Sequence, residues 1–195
     1  MKTLFYIFLI LIFLTKNLNA QNLTKAYFAG GCFWCMEESF ENLNGVSEVI
    51  SGYSGGKTKN PTYKEVTYGD TGHFETIEVI YDSSVISYKK LLDNFWINID
   101  PFDEYGQFCD KGYGYRSVAF YKNEKQKIMI ENSIKKIQKK FKKNVVTYIR
   151  KFEEFYKAED KHQDYYQEYF LNYLRYKKAC KREKILNNIW GSKNL

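Results

Sequence analysis

Proline and histidine are scarce in this chain, two residues of each among 195, and cysteine stops at four. With so few prolines, no low-complexity stretch and no internal repeat, nothing in the composition marks a linker. A content of 44% hydrophobic and 27% charged residues fits one globular domain that buries its own core without disulfide staples. Cys32, Cys35, Cys109, Cys180, His73 and His162 are the possible soft metal ligands, but only Cys32 and Cys35 form a tight pair, where a structural zinc site uses two. No metal is therefore expected. No second long apolar run follows the first.

That first run opens the chain. Lys2 precedes an apolar segment from Leu4 to Leu14, and a short polar stretch ends at Ala20. This is the layout of a signal peptide over residues 1–20, and it is short for a membrane span, which needs about 20 apolar residues. Cleavage after Ala20 would leave a soluble domain of residues 21–195, exported to the periplasm or another extracytoplasmic space; an uncleaved anchor is the alternative. The net charge of +7 includes Lys2 and Lys16. Lysines gather between Lys135 and Lys143, on a stretch with helical periodicity and one apolar side, which reads as a solvated helix face. The 18 tyrosines are scattered along the chain and mark no single nucleic-acid groove.

Strands and helices alternate, which implies a mixed α/β class in one domain. Lys25 to Gly31 reads as a strand ending in a glycine turn. Met36, Phe40 and Leu43 then recur at helical spacing. Val49 to Gly72 is rich in glycine and polar residues and reads mostly as loop. Alternation over residues 73–82 puts Glu75, Ile77, Val79 and Tyr81 on one strand face. A Ser87 cap opens a helix with Leu91, Leu92, Phe95 and Ile99 inward. Asp100 to Ser117 reads as a second loop, feeding a strand. Asn123 to Gln126 resembles a capping box for a helix facing inward through Ile130, Ile134, Ile137 and Phe141. Asn144 to Phe152 reads as another strand, and the last 40 residues as helical or irregular.

Two features carry chemistry. Cys32 falls at a strand-to-helix junction, where free backbone N–H groups and the helix dipole favour a thiolate. Burial as a small core residue is the plainer fate of a free cysteine, but Gly30 and Gly31 suit a close backbone approach at this point. Glu75 shares its strand face with apolar neighbours, which raises a carboxyl toward a protonated, acid-competent form. In an exported chain four cysteines suggest two structural disulfides; the spacing of Cys32 and Cys35 points to reactive thiols.

Together these stretches resemble the A-type peptide methionine sulfoxide reductases, which act on the S epimer. "GGCFWCMEESF" is similar to the family's signature, and "GYSGGKTKNPTYKEV", "GDTGHFETIEVIYD", "LLDNFWINIDP", "CDKGYGYRS" and "AEDKHQDYY" match further segments in the same order. The resemblance runs from Lys25 to Cys180. It implies a single-domain two-layer α/β sandwich around a mixed sheet with flanking helices. It also implies Cys32 as nucleophile, with Phe33 and Trp34 caging the substrate methyl. Glu75, Tyr63 and Tyr115 surround the sulfoxide oxygen, and Asp110 lies nearby. Cys32 would be left as a sulfenic acid and recovered as a disulfide, which a thioredoxin-like dithiol reduces. No cofactor is implied, the substrate is oxidised protein or peptide methionine with the free amino acid beside it, and a monomer is expected. Cys35 stands where the family often has glycine, Ile99 where it often has histidine, and a glycine-rich tail with recycling cysteines is missing. The resolving thiol is accordingly ordered Cys180, then Cys35, then Cys109.

Two other readings compete. A general dithiol–disulfide oxidoreductase would use Cys32 and Cys35 at the same turn, but would place a proline loop opposite them, and Pro61 falls instead in "NPTY". A binding module using the basic, tyrosine-rich surface gives no reason for Glu75, Tyr63 and Tyr115 to accompany a cysteine at a helix start.

Overall fold

A computed structural model describes residues 22–191 of the chain; the signal peptide expected over residues 1–20 lies outside them. Among the described residues no helix is long and apolar enough to cross a membrane. The first strand, β1 (Leu23–Gly30), is followed directly by α1 (Phe33–Glu41), with Cys32 as its N-cap. Then come β2 (Val46–Ser54), α2 (Tyr63–Tyr68), β3 (Phe74–Asp82) and α3 (Tyr88–Ile97). A two-rung ladder of β4 (Gly106–Gln107) and β5 (Asp110–Lys111) leads through a 3-10 turn at Tyr113–Tyr115 into β6 (Ser117–Tyr121). The long α4 (Glu124–Phe141), β7 (Tyr148–Lys151) and β8 (Phe155–Lys157) precede three helices: α5 (Tyr165–Glu168), α6 (Phe170–Ala179) and α7 (Arg182–Trp190).

Six strands form one mixed sheet in the order β7-β6-β1-β3-β2-β8, antiparallel throughout except where β7 runs parallel to β6. The alternation of β1 and β3 sorts their side chains onto two faces. Ala26 and Phe28, with Ile77, Val79 and Tyr81, face the core shared with Met36 and Phe40 of α1 and Leu91, Leu92 and Phe95 of α3. Tyr27, Ala29, Phe74, Val118 and Phe120 face the other way, beneath Tyr148, Phe152 and Phe155. Phe28 is fully buried and packs on Phe40 and Phe95, with ring centroids 5.4 and 5.0 Å away; truncating such a ring to alanine costs about 3–5 kcal/mol.

The expected strand over residues 73–82, the Ser87 cap and the inward face of α4 are all present. At the start of α4, Asn123 accepts from the Gln126 N–H, but Gln126 reaches back to the N–H of Lys122, so the capping box is displaced by one residue. The lysines from Lys135 to Lys143 are exposed.

Val49 to Gly72 is not mostly loop. Val49 to Ser54 lies in β2, and Thr62 opens α2 with a reciprocal capping box to Glu65. Gly52, which weakens the strand pattern, is needed there: a Cβ would fall 2.3 Å from the carbonyl oxygen of Tyr156 in β8. The strand expected from Asn144 to Phe152 is confined to Tyr148–Lys151.

Candidate active site

Cys32 sits where β1 turns into α1, and its carbonyl accepts from the N–H groups of Cys35 and Met36. The turn needs Gly31, whose φ is +77° and whose absent Cβ would lie 2.5 Å from Cβ of Gln107. The N–H of Phe33, free at the helix start, donates to Oε2 of Glu75 at 3.0 Å. One carboxyl thus meets the positive end of the helix that carries the cysteine. Glu75 is 3% exposed. Burial pushes its carboxyl well above the ordinary range, helped by the charges of Asp110 and Cys35, while Phe33 N–H and the Tyr115 hydroxyl oppose the rise. Burial thus favours the protonated form of Glu75, the direction that its strand face implies.

Around it the Tyr63 and Tyr115 hydroxyls stand 3.5 Å apart. Phe33, Trp34, Tyr63 and His162 make an aromatic wall. The His162 ring lies 5.3, 5.8 and 4.5 Å from those of Phe33, Trp34 and Tyr63. His162 and the Trp34 indole N–H are buried without a hydrogen-bond partner, and burial lowers the imidazole's pKa, keeping it neutral. His73 is engaged elsewhere, accepting from the Gly56 N–H and bonded to the Thr58 carbonyl.

The thiols behave as a pair. Burial, the hydrogen bond to Cys35 and its charge push the Cys32 thiol up, with a lesser push from Glu75. Cys35 is held down at about 6, first by its hydrogen bond with Cys32, then by Arg182, Tyr173 and Lys177. The expected acidity therefore belongs to the two thiols together, set first by the hydrogen bond between them and then by Arg182 and Lys177. Glu75 opposes ionisation of Cys32 only while charged, and burial disfavours its charged form. A cavity of about 450 Å³ is lined by Cys35, Ile97, Lys177, Arg182, Leu186 and Trp190, among others.

Helix α6 completes the site. Tyr173 donates to Glu38 at 2.6 Å and contacts Cys35, and Tyr176 donates to Asp110 and contacts Cys32. One turn beyond Tyr176, Cys180 forms a disulfide with Cys109, 71 residues away in sequence; Cys32 and Cys35 are free. With Asp110 those two sulfurs form a tight group, but bonded to each other they are not thiolate ligands; a second group is Glu37, Glu41 and Asp164.

A family model for peptide methionine sulfoxide reductase matches residues 24–194. The chain belongs to that family. It is 46% identical over 172 residues to a peptide methionine sulfoxide reductase MsrA of Listeria monocytogenes, covering 87% of this chain and 97% of the relative. Among solved structures, methionine sulfoxide reductase A of Corynebacterium diphtheriae is 30% identical with a TM-score of 0.69, covering 75% of each chain. Reduced Mxr1 of Saccharomyces cerevisiae is also 30% identical, with a TM-score of 0.71, covering 78% of this chain and 88% of that one. The mixed sheet with flanking helices is the family fold.

In this reductase, Cys32, Glu75, Tyr63, Tyr115, Asp110, Phe33, Trp34 and Cys35 converge on one site, reached from six different elements and turns. Cys109 and Cys180 adjoin it through Asp110 and Tyr176. Our reading of the residues weighed His162 only as a possible metal ligand and gave no role to Tyr173, Tyr176, Tyr165, Lys177 or Arg182. Two had a local signal: Tyr173 and Tyr176 share a helix face with Cys180 at intervals of three and four.

Proposed function

We propose that Cys32 attacks the sulfur of a methionine S-sulfoxide while Glu75 gives its proton to the sulfoxide oxygen. Tyr63 and Tyr115 hydrogen-bond the charge gathering on that oxygen, and Phe33 and Trp34 hold the methyl group by apolar contact. The oxygen passes to Cys32 as a sulfenic acid, and methionine leaves. The observation that carries this reading is the buried Glu75 carboxyl bonded to the N–H of the residue that follows Cys32, in surroundings that favour its protonated form.

Cys35 then attacks the sulfenic sulfur, expelling water and forming the Cys32–Cys35 disulfide. Its hydrogen bond with Cys32 and its low pKa support Cys35 ahead of Cys180, which is bonded to Cys109. A thioredoxin-like dithiol restores the thiols by exchange. The substrate is oxidised protein or peptide methionine, in the periplasm or another extracytoplasmic space if residues 1–20 act as a leader.

The test is incubation of Gln21–Leu195 with each epimer of a methionine sulfoxide peptide and dithiothreitol, beside Cys32→Ser. Consumption of the S epimer alone, abolished by the substitution, is expected. Disulfide exchange without consumption of either epimer would restore the general oxidoreductase reading. Fractionation of cells making the full chain tests the location.

A further inference from the structure

A ladder of rings leads out of the site. Trp34 lies flat on Tyr165, 3.8 Å between centroids and 11° between planes, and Tyr165 stacks on Tyr169 at 4.8 Å. Tyr169 is the joint between α5 and α6, and the next turn carries Phe170, Leu171 and Leu174. Tyr169, Phe170, Leu171 and Leu174 are 45%, 55%, 66% and 42% exposed. On a helix, Phe170, Leu174, Lys178, Leu171 and Arg175 fall on one arc, opposite the buried Tyr173 and the half-buried Tyr176. The arc is apolar at its start and basic toward its end. A cleft of about 580 Å³ lined by Leu174, Lys177, Lys178, Lys181, Glu183 and Lys184 continues the basic end.

Scattered exposed apolar side chains need no explanation, but a contiguous patch rimmed by charge marks an interaction surface. Two features of this one fix its occupant. The stacked rings that start at the wall beside Cys32 end at the exposed Tyr169, the residue next to Phe170 where the patch begins, and the far end of the patch carries an excess of positive charge.

We propose that this face of α6 binds the polypeptide that carries the methionine sulfoxide. Apolar side chains flanking the oxidised residue cover Phe170, Leu171 and Leu174, and an acidic residue further along meets Lys178 and Lys181. The proposal rests on the reductase reading of the Cys32 site. It adds a sequence preference within the peptide substrates: segments with apolar residues beside the oxidised methionine and an acidic residue beyond them.

The experiment compares two substrates with dithiothreitol as the only reductant, so that no protein reductant competes for the surface. One is N-acetyl-methionine S-sulfoxide amide; the other is a peptide with Phe and Leu beside the sulfoxide and Asp beyond them. Phe170→Ser/Leu171→Ser/Leu174→Ser is expected to lower kcat/KM for the peptide about tenfold through KM, equivalent to roughly 1.4 kcal/mol, and to leave the blocked amino acid within about twofold. Turnover of the blocked amino acid also reports that the variant is folded. Lys178→Glu should weaken the acidic peptide and spare one with Ser in place of Asp.

Equal losses on both substrates, or none on the peptide, overturn the proposal. So does a loss seen only when a thioredoxin-like protein replaces dithiothreitol, which would give the face to the reductant. Binding to phosphatidylglycerol vesicles that the triple variant abolishes, with peptide kinetics unchanged, would give it to a membrane and overturn the proposal too. If the unsubstituted protein reduces neither substrate, the reductase reading itself fails, and the proposal with it.

Discussion

Glu37 is a buried carboxyl to which the proposed chemistry gives no role. It lies on α1 at 1% exposure. Its Oε2 accepts from the Ser51 hydroxyl and its Oε1 from the Asp164 N–H, each at 3.0 Å. Gln163 bonds both backbone groups of Ser51. These bonds tie α1 and β2 to the segment that lays Tyr165 on Trp34. Burial pushes the Glu37 pKa from the ordinary 4.5 up to about 8, against the two hydrogen bonds and with the charges of Glu41 and Asp164. The folded state therefore keeps a proton that the unfolded chain has lost above pH 4.5. Stability from this group is fully present below pH 4.5, declines by about 1.4 kcal/mol per pH unit as pH rises, and levels off above 8, for a total of about 5 kcal/mol at most.

Glu37→Gln removes that dependence without removing the contacts, since a glutamine oxygen can accept from Asp164 and its amide can donate to Ser51. We expect the variant to match the parent within about 1 kcal/mol at pH 5 and to exceed it by roughly 2–5 kcal/mol at pH 9. Urea unfolding of both proteins at one-unit intervals from pH 5 to 9 measures this. The difference between the curves cancels the other titrating groups, including Glu75 and Cys35. A constant offset across the range, or identical curves at pH 9, would refute the reasoning.

Glu75→Gln should lower kcat about 10²- to 10⁴-fold while Cys32 still reacts with an alkylating agent. The parent should also lose activity at high pH as Glu75 ionises, a limb missing from the variant's pH–rate profile. In a single turnover without reductant, Cys35→Ser should yield methionine and leave a dimedone-reactive sulfenic acid at Cys32. Cys180→Ser should instead carry a Cys32–Cys35 disulfide, and peptide mapping by mass spectrometry distinguishes the two; a disulfide at Cys32 that persists in Cys35→Ser would return the resolving role to Cys180. Gly31→Ala forces a side chain into the left-handed region against Gln107 and should cost about 1–3 kcal/mol in urea unfolding.

The catalytic half of the site was legible because its residues carry local signatures. A cysteine after two glycines and before a helical apolar repeat announces a helix start, and Glu75 announces its burial by the company of Ile77, Val79 and Tyr81. The second half was not. Tyr173, Tyr176 and Arg182 act on thiols about 140 residues earlier in the chain, and a helix face looks the same whether it meets a core or a cysteine pair. The helix start pointed to Cys32, but the cations beside the thiol pair, Lys177 and Arg182, come from elements that only tertiary packing brings near. In β2, Gly52 broke the strand pattern because the backbone of β8 passes where a side chain would be, a constraint that exists only between strands.

Strand β1 delivers the nucleophile, and its place in the sheet governs when that cysteine is first protected. Phe28 pairs with Ile77 on one side and with Ala119 on the other. During synthesis, then, β1 and both thiols emerge early and wait for β3 and then β6 before either edge is closed. Until then the pair is open to solvent oxidants and to the wrong partner, Cys109, which emerges before β6 does. The topology gives this protein a nascent phase in which Cys32 and Cys35 are exposed, because the strands that close the sheet on both sides of β1 are made later.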